Sequence, residues 1–304
     1  MIERLQRSFS LLWLVGTLLG LWLQWQRGSG FGLVLVLVVA LGAHAVWLAL
    51  TFALMVWQRR RSGLSALPIG LLLRAWWAEA LAAPQVFFWR QPFRSRSEPD
   101  FLPPRLPHQS GLPGVLLVHG FVCNRGFWNP WLRRFRDQGR PVVAISLEPV
   151  FGSIDEWVPG IEAAVQRLEA ATGLPPLLVG HSMGGLAIRA WLRVSAGDQR
   201  IRGVITLGTP HGGTWLAHGS LQRNGQQMRI GSDWLQALAA AESSERRRRI
   251  LCLYSACDNI VFPAPLAVLP GAAVQEVVGA AHVDLIDRPE CWAAVNQALN
   301  RDAD

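Results

Sequence analysis

The chain has 304 residues, of which 51% are apolar and 16% charged, with a formal net charge of +8 and four cysteines. That length holds one sizeable core plus extra elements and argues against a second full domain, while a charge content well under the usual quarter suggests that part of the chain lives in lipid. Every basic residue is arginine and most are scattered, with no nucleic-acid motif beside them, and Cys123, Cys252, Cys257 and Cys291 match no zinc spacing, so neither nucleic-acid binding nor a metal site is expected.

Phe9 to Trp25 carries no charge and is nearly long enough to cross a bilayer; Leu33 to Trp57 is longer and also uncharged. A span needs roughly 20 apolar residues, so residues 1–62 read as a transmembrane helical hairpin. A cleaved signal peptide would also have a basic start and an apolar middle, but no small-x-small site follows the first stretch. His44, alone in the second stretch, reads as a packing residue. Eight of the 15 tryptophans precede residue 90, several where an interfacial belt would hold them. Arg4 and Arg7 precede the first span, Arg59, Arg60 and Arg61 follow the second, and only Arg27 lies between. The positive-inside rule then puts both ends in the cytoplasm.

Leu64 to Trp89 is apolar but is interrupted by Arg74 and Glu79 and broken by Pro68 and Pro84. It reads as a helix lying in the interface; a spanning helix there would move everything downstream to the other side. A proline-rich linker containing His108 completes residues 63–110. Residues 111–304 then form one α/β domain.

From Gly114 onward short apolar runs alternate with helical patterns. GVLLVHG, PVVAISL, PLLVG, IRGVITLG, ILCLYSA and AVQEVVG read as strands. Helices are expected over FWNPWLRRFRDQG, over SIDEWVPGIEAAVQRLEAATG with Ser153 or Asp155 as cap and Gly173 as stop, over MGGLAIRAWLRVSA and over DLIDRPECWAAVNQALN. Such alternation means a mostly parallel sheet covered on both faces. Residues 212–249 are polar and break the pattern, and read as a small insertion capping a site.

Gly180-His181-Ser182-Met183-Gly184 has the form G-x-S-x-G directly between a strand and a helix. In that context the turn is tight enough that residues two before and two after the serine must lack side chains, and it lifts the hydroxyl above the sheet at a helix start. A serine needs a base, and the base an orienting acid. His282 follows the last strand and is the preferred base, with His211 as its rival; His119 and His181 sit in glycine turns and His218 in the insertion. Asp258, just past a strand, is the preferred acid. Asp155 and Glu148 are poorer candidates, and Asp284 is expected to cap the final helix. The amides of Met183 and Phe121 would form an oxyanion hole.

LLVHGF, LEPVFGSID, LLVGHSMGGLAIRAWL, TLGTPHGGTWLA, SACDNIVFP and GAAHVDL together resemble the α/β-hydrolase superfamily, and within it the bacterial triacylglycerol lipases and related membrane-associated esterases. The resemblance covers roughly Gly114 to Asn300. It implies an α/β-hydrolase fold and ester hydrolysis through an acyl-serine with Ser182, His282 and Asp258. It implies no cofactor and an acyl-ester or lipid substrate; the double span and its flanking arginines, which are not part of the common hydrolase fold, point to a station at a bacterial inner membrane with the catalytic domain on the cytoplasmic side. A thioesterase or acyltransferase could use the same residues, and a non-catalytic membrane-tethered scaffold is the third reading. The usual strands before GVLLVHG are hard to find, so a shortened sheet is expected. Oligomeric state is not legible.

Overall fold

A computed structural model describes residues 1–103, 111–195 and 197–300; linker residues 104–110 with His108, Ala196 and residues 301–304 lie outside the described residues. Ile2–Gln26 (α1) and Gly30–Arg61 (α2) form a helical hairpin. It reverses at Arg27–Ser29, where the Ser29 hydroxyl accepts a hydrogen bond from the Gly32 amide at 3.0 Å and caps α2. Both helices are long and apolar enough to cross a membrane by length and composition, and side chains such as Leu12, Trp22, Val38 and Leu50 face outward.

Ile69–Pro84 (α3) follows, continued by a widened turn over Gln85–Arg90 and by Gln91–Phe93 (α4). Ile69, Leu73, Trp77 and Leu81 are exposed. Their four-residue recurrence makes one apolar stripe, while Ala75, Glu79 and Ala82 turn inward. These helices are packed onto the rest of the chain: Phe52 and Met55 of α2 and Ala75 of α3 share an apolar cluster with Cys257, Phe262 and Ala281.

Val115–Val118 (β1), Val142–Ile145 (β2), Leu177–His181 (β3), Gly203–Leu207 (β4), Ile250–Tyr254 (β5) and Ala273–Glu276 (β6) form a six-stranded parallel sheet in the order β2-β1-β3-β4-β5-β6. Successive strand residues point to opposite faces, and here both faces are dry. Leu116 and Val118 of β1 join Leu178 and Val204 on one side, while Val115 and Leu117 join Val179 and Ile205 on the other. Val158–Thr172 (α6) and Met183–Ser195 (α7) cover the first side through Leu168, Leu186 and Trp191. Asn129–Asp137 (α5) and Pro289–Asn300 (α11) cover the second through Trp131, Phe135 and Val295. Each fully buried aliphatic side chain contributes about 1.5–3 kcal/mol.

Ser153 and Glu156 form a reciprocal capping box at the turn that leads into α6, and Gly173 closes that helix at φ +69°. Among the described residues no strand precedes β1; Phe101 makes a single antiparallel bridge to Val142 on the β2 edge.

Residues 212–249 hold Arg223–Gln227 (α8), Asp233–Ala240 (α9) and Ser244–Arg248 (α10). Met228, Leu235 and Leu238 pack into the α6–α7 side of the core. Arg189 of α7 donates to both carboxylate oxygens of Glu242, at 2.6 and 2.8 Å, with both side chains fully buried. Removing one partner leaves an uncompensated charge in the interior, which costs about 3–5 kcal/mol. Glu242→Ala should therefore lower the unfolding free energy by that order, read from chemical denaturation in detergent.

Candidate active site

β3 passes into α7 through Ser182, whose φ is +55°. A non-glycine residue held in that region stores about 1–3 kcal/mol, so its neighbours must fix it. The Ser182 amide donates to the Leu207 carbonyl at 2.8 Å, and the Ser182 carbonyl accepts from the Thr209 hydroxyl at 2.8 Å and the Gly185 amide at 3.1 Å. Space is equally restricted. A Cβ on Gly180 would sit 2.6 Å from the Gly185 Cα, one on Gly184 would run into the carbonyl oxygens of Val118 and His119, and one on Gly120 would lie 2.7 Å from the Ser182 Cβ. Gly185, which the sequence reading passed over, is under the same constraint from Thr209.

The loops after β5 and β6 bring Asp258 and His282 together: His282 Nδ1 lies 2.9 Å from Asp258 Oδ2. Asp258 Oδ1 accepts from the Ile260 and Val261 amides, both at 2.8 Å, which fixes the carboxylate plane. Gly208, at φ +56°, lies beneath the pair, and a Cβ there would be 2.9 Å from Asp258 Oδ2. The carboxylate takes Nδ1–H, so the ring's lone pair is on Nε2. Burial alone would lower the His282 pKa; the Asp258 charge and hydrogen bond outweigh it and lift the group above its ordinary 6.5.

Ser182 and His282 line one cleft of about 600 Å³. Among the described residues no hydrogen bond joins the Ser182 hydroxyl to the ring; in ligand-free proteins such bonds are commonly long and tighten around substrate. The Phe121 and Met183 amides have no acceptor among the described residues. The turn after Phe121 is held by α1: Val122, at φ +54°, accepts from Gln6 Nε2 at 3.0 Å.

The other titratable candidates are engaged elsewhere. His211 lies between Arg189 and Thr206, its Nε2 3.0 Å from the Thr206 hydroxyl, and burial followed by the Arg189 charge holds its pKa well below 6.5. His119 accepts the Leu147 amide at 2.9 Å, and burial pushes its pKa down to about 4. His181 reaches the His282 carbonyl at 2.9 Å. His218 lies 3.0 Å from the Trp215 carbonyl, and Asp155 pairs with Arg193 at 2.7 Å. Asp284 does not cap the final helix. Its carboxylate accepts from Arg288 Nε at 2.6 Å, because α11 starts at Pro289, beyond its reach. Among the described residues no cluster of three His, Cys, Asp or Glu is placed to hold a metal.

Two features escaped the sequence reading. The expected covering role of residues 212–249 is not theirs: that segment lies on the α7 side, and the cleft is lined instead by residues of α1, α2 and α3. Glu79 of α3, read only as an interruption of an apolar run, is buried against the histidine loop. Its carboxylate accepts the Val283 and Asp284 amides at 3.0 Å. Thr51 of α2 makes a second tie, accepting from Asn259 Nδ2 at 3.0 Å, while Asn259 Oδ1 accepts the His282 amide at 3.3 Å.

Residues 113–256 match a family model described as the alpha/beta hydrolase fold. Bacillus licheniformis lipase BlEst2 in its mature form superposes with a TM-score of 0.56 at 18% identity, over 65% of this chain and 95% of that one. Aspergillus fumigatus lipase B gives 0.54 at 17% identity, over 66% of this chain and 56% of that one. No curated protein matches the chain. At these identities the likeness to the solved structures is one of fold, and the chain carries the α/β-hydrolase fold.

Burial pushes the Glu79 pKa from its ordinary 4.5 up to about 7, against the pull of the two amides. Between those values the folded chain holds a proton that the unfolded chain has released, so stability falls as pH rises through that window. Glu79→Gln should remove a loss on the order of 3 kcal/mol between pH 4.5 and 7, seen as a flatter plot of unfolding midpoint against pH.

Proposed function

Taking that fold as the premise, we propose that the chain is a membrane-associated serine hydrolase that cleaves carboxylic esters. We place its cleft on the cytoplasmic side of a bacterial inner membrane, the orientation favoured by the arginines flanking the two apolar helices. The observation that carries the chemical reading is the left-handed Ser182 opening into the same cleft as an imidazole whose far nitrogen is bound to a buried carboxylate.

In this mechanism Ser182 Oγ attacks the ester carbonyl carbon while His282 Nε2 takes the hydroxyl proton. The negative charge that develops on the carbonyl oxygen is met by the Phe121 and Met183 amides, with the N-terminus of α7 behind the latter. As the tetrahedral centre collapses, the carbon–oxygen bond to the alcohol breaks and Nε2 returns the proton to the leaving oxygen. Water, deprotonated by the same nitrogen, then attacks the acyl-serine, and collapse releases the acid and restores the hydroxyl. Asp258 holds the ring tautomer and stabilises the imidazolium throughout.

Ser182→Ala should lower kcat/KM for a short nitrophenyl ester by about 10⁴-fold or more and abolish labelling by a fluorophosphonate; full turnover in that variant would remove the assignment. His282 must be neutral to act as base, and its pKa lies above 6.5. The acid limb of the kcat/KM profile should therefore fall away as pH drops through a value above 6.5, rather than below it.

A further inference from the structure

The cleft over Ser182 has two walls of different origin. One carries the reacting groups, with Ser182, His282 and Phe121 at the end of the sheet. The other is built by the N-terminal helices, from Phe9 and Trp13 of α1, Leu41, Trp47 and Leu48 of α2, and Phe88 beyond α3. On α2 the lining positions run from Ala40 through His44 and Leu48 to Thr51. Steps of three and four make one helical stripe, about 16 Å long at 1.5 Å per residue.

Several polar atoms along this second wall are already engaged within the helices. His44 Nε2 lies 3.0 Å from the Ala80 carbonyl, the Thr51 hydroxyl donates to the Leu48 carbonyl at 2.8 Å, and Trp13 Nε1 donates to the Ala40 carbonyl at 3.3 Å. The wall therefore offers hydrocarbon and aromatic surface, with polar reactive groups gathered at one end. Phe9, Leu41 and Trp47 line the cleft and are also 55%, 72% and 66% exposed, so the cleft opens beside them. Between Phe9 and Trp57 the exposed side chains of that helix pair are apolar, apart from Gln26 and Arg27 at the turn.

We infer that the substrate is a long-chain acyl ester resident in the bilayer, whose acyl chain lies against α1, α2 and the turn after α3 while its ester group reaches Ser182. The two apolar helices are on this view a substrate-binding wall as well as an anchor. The volume suits such a ligand, since pockets for small molecules run from about 300 to 1,000 Å³. A bilayer lipid is favoured over a soluble apolar compound because the mouth of the cleft is continuous with the lipid-compatible outer faces of the same helices. The inference rests on Ser182 being the nucleophile.

The test uses the full chain in phosphatidylcholine vesicles. Ala40→Trp and Ala83→Trp each fill the cleft from the helix side without adding charge, and Val38→Trp, on the exposed side of α2, serves as control. The ratio of kcat/KM for palmitoyl to butyryl nitrophenyl ester should fall about tenfold or more in the first two and stay unchanged in the control. An unchanged ratio in both cleft variants with butyryl turnover intact would overturn the inference.

A second measurement needs no variant. An alkyl fluorophosphonate with a terminal diazirine is reacted with the wild-type chain and then photolysed. Cross-links mapping to residues 2–61 or 69–93 support the acyl wall, and cross-links confined to residues 212–249 oppose it. Absence of any adduct on Ser182 would instead remove the hydrolase reading beneath it.

Discussion

Between β3 and α7 the backbone turns from strand to helix at a single residue, and the candidate site is arranged around the room this requires. Ser182 is held left-handed by its bonds to Leu207, Thr209 and Gly185. The strands and helices pack close enough there that Gly120, Gly180, Gly184 and Gly185 leave no volume for a methyl group. The two-sided burial of the sheet supplies the rigidity that keeps such a strained turn from relaxing. The loops after β5 and β6 then need only fall above the same sheet end for an imidazole and a carboxylate to meet near the hydroxyl.

Those loops do not hold themselves. The amides of His282, Val283 and Asp284 are taken by Asn259 and Glu79, and Asn259 is in turn bonded to Thr51. Two of the three supports thus come from helices that precede the sheet in the chain. Gln6 does the same for the turn after Phe121. The Ser182 end of the cleft is consequently bound from both sides, by the sheet below and by the N-terminal helices above. Fixed groups of this kind need little reorganisation when charge develops.

Much of this was legible in the sequence because it is local. A run such as VLLV, apolar at every position and bounded by glycines, reads as a strand buried on both faces, and Ser153 or Asp155 with Gly173 marks the bounds of a helix. The glycines around Ser182 point to the turn for the same reason. What escaped is what depends on distant pairing. Glu79 looked like a flaw in an apolar segment, and its partner amides lie 204 and 205 residues away. Residues 212–249 had the polarity of a surface insertion, but the buried Arg189–Glu242 pair and Leu238 draw them onto α7; no periodicity encodes that choice. Asp284 was assigned by position to a helix end that begins five residues later.

The apolar cluster formed by Phe52, Met55 and Ala75 with Cys257, Phe262 and Ala281 bears on how the molecule can be handled. A shortened version beginning at residue 111 would place Phe262 and its neighbours in water and strip the acceptor from the Val283 and Asp284 amides. Aggregation of such a fragment would then reflect an opened interior. Detergent or nanodisc preparations of the whole polypeptide are for that reason the natural starting material, and solubility engineering belongs on the outward stripe of Leu73, Trp77 and Leu81.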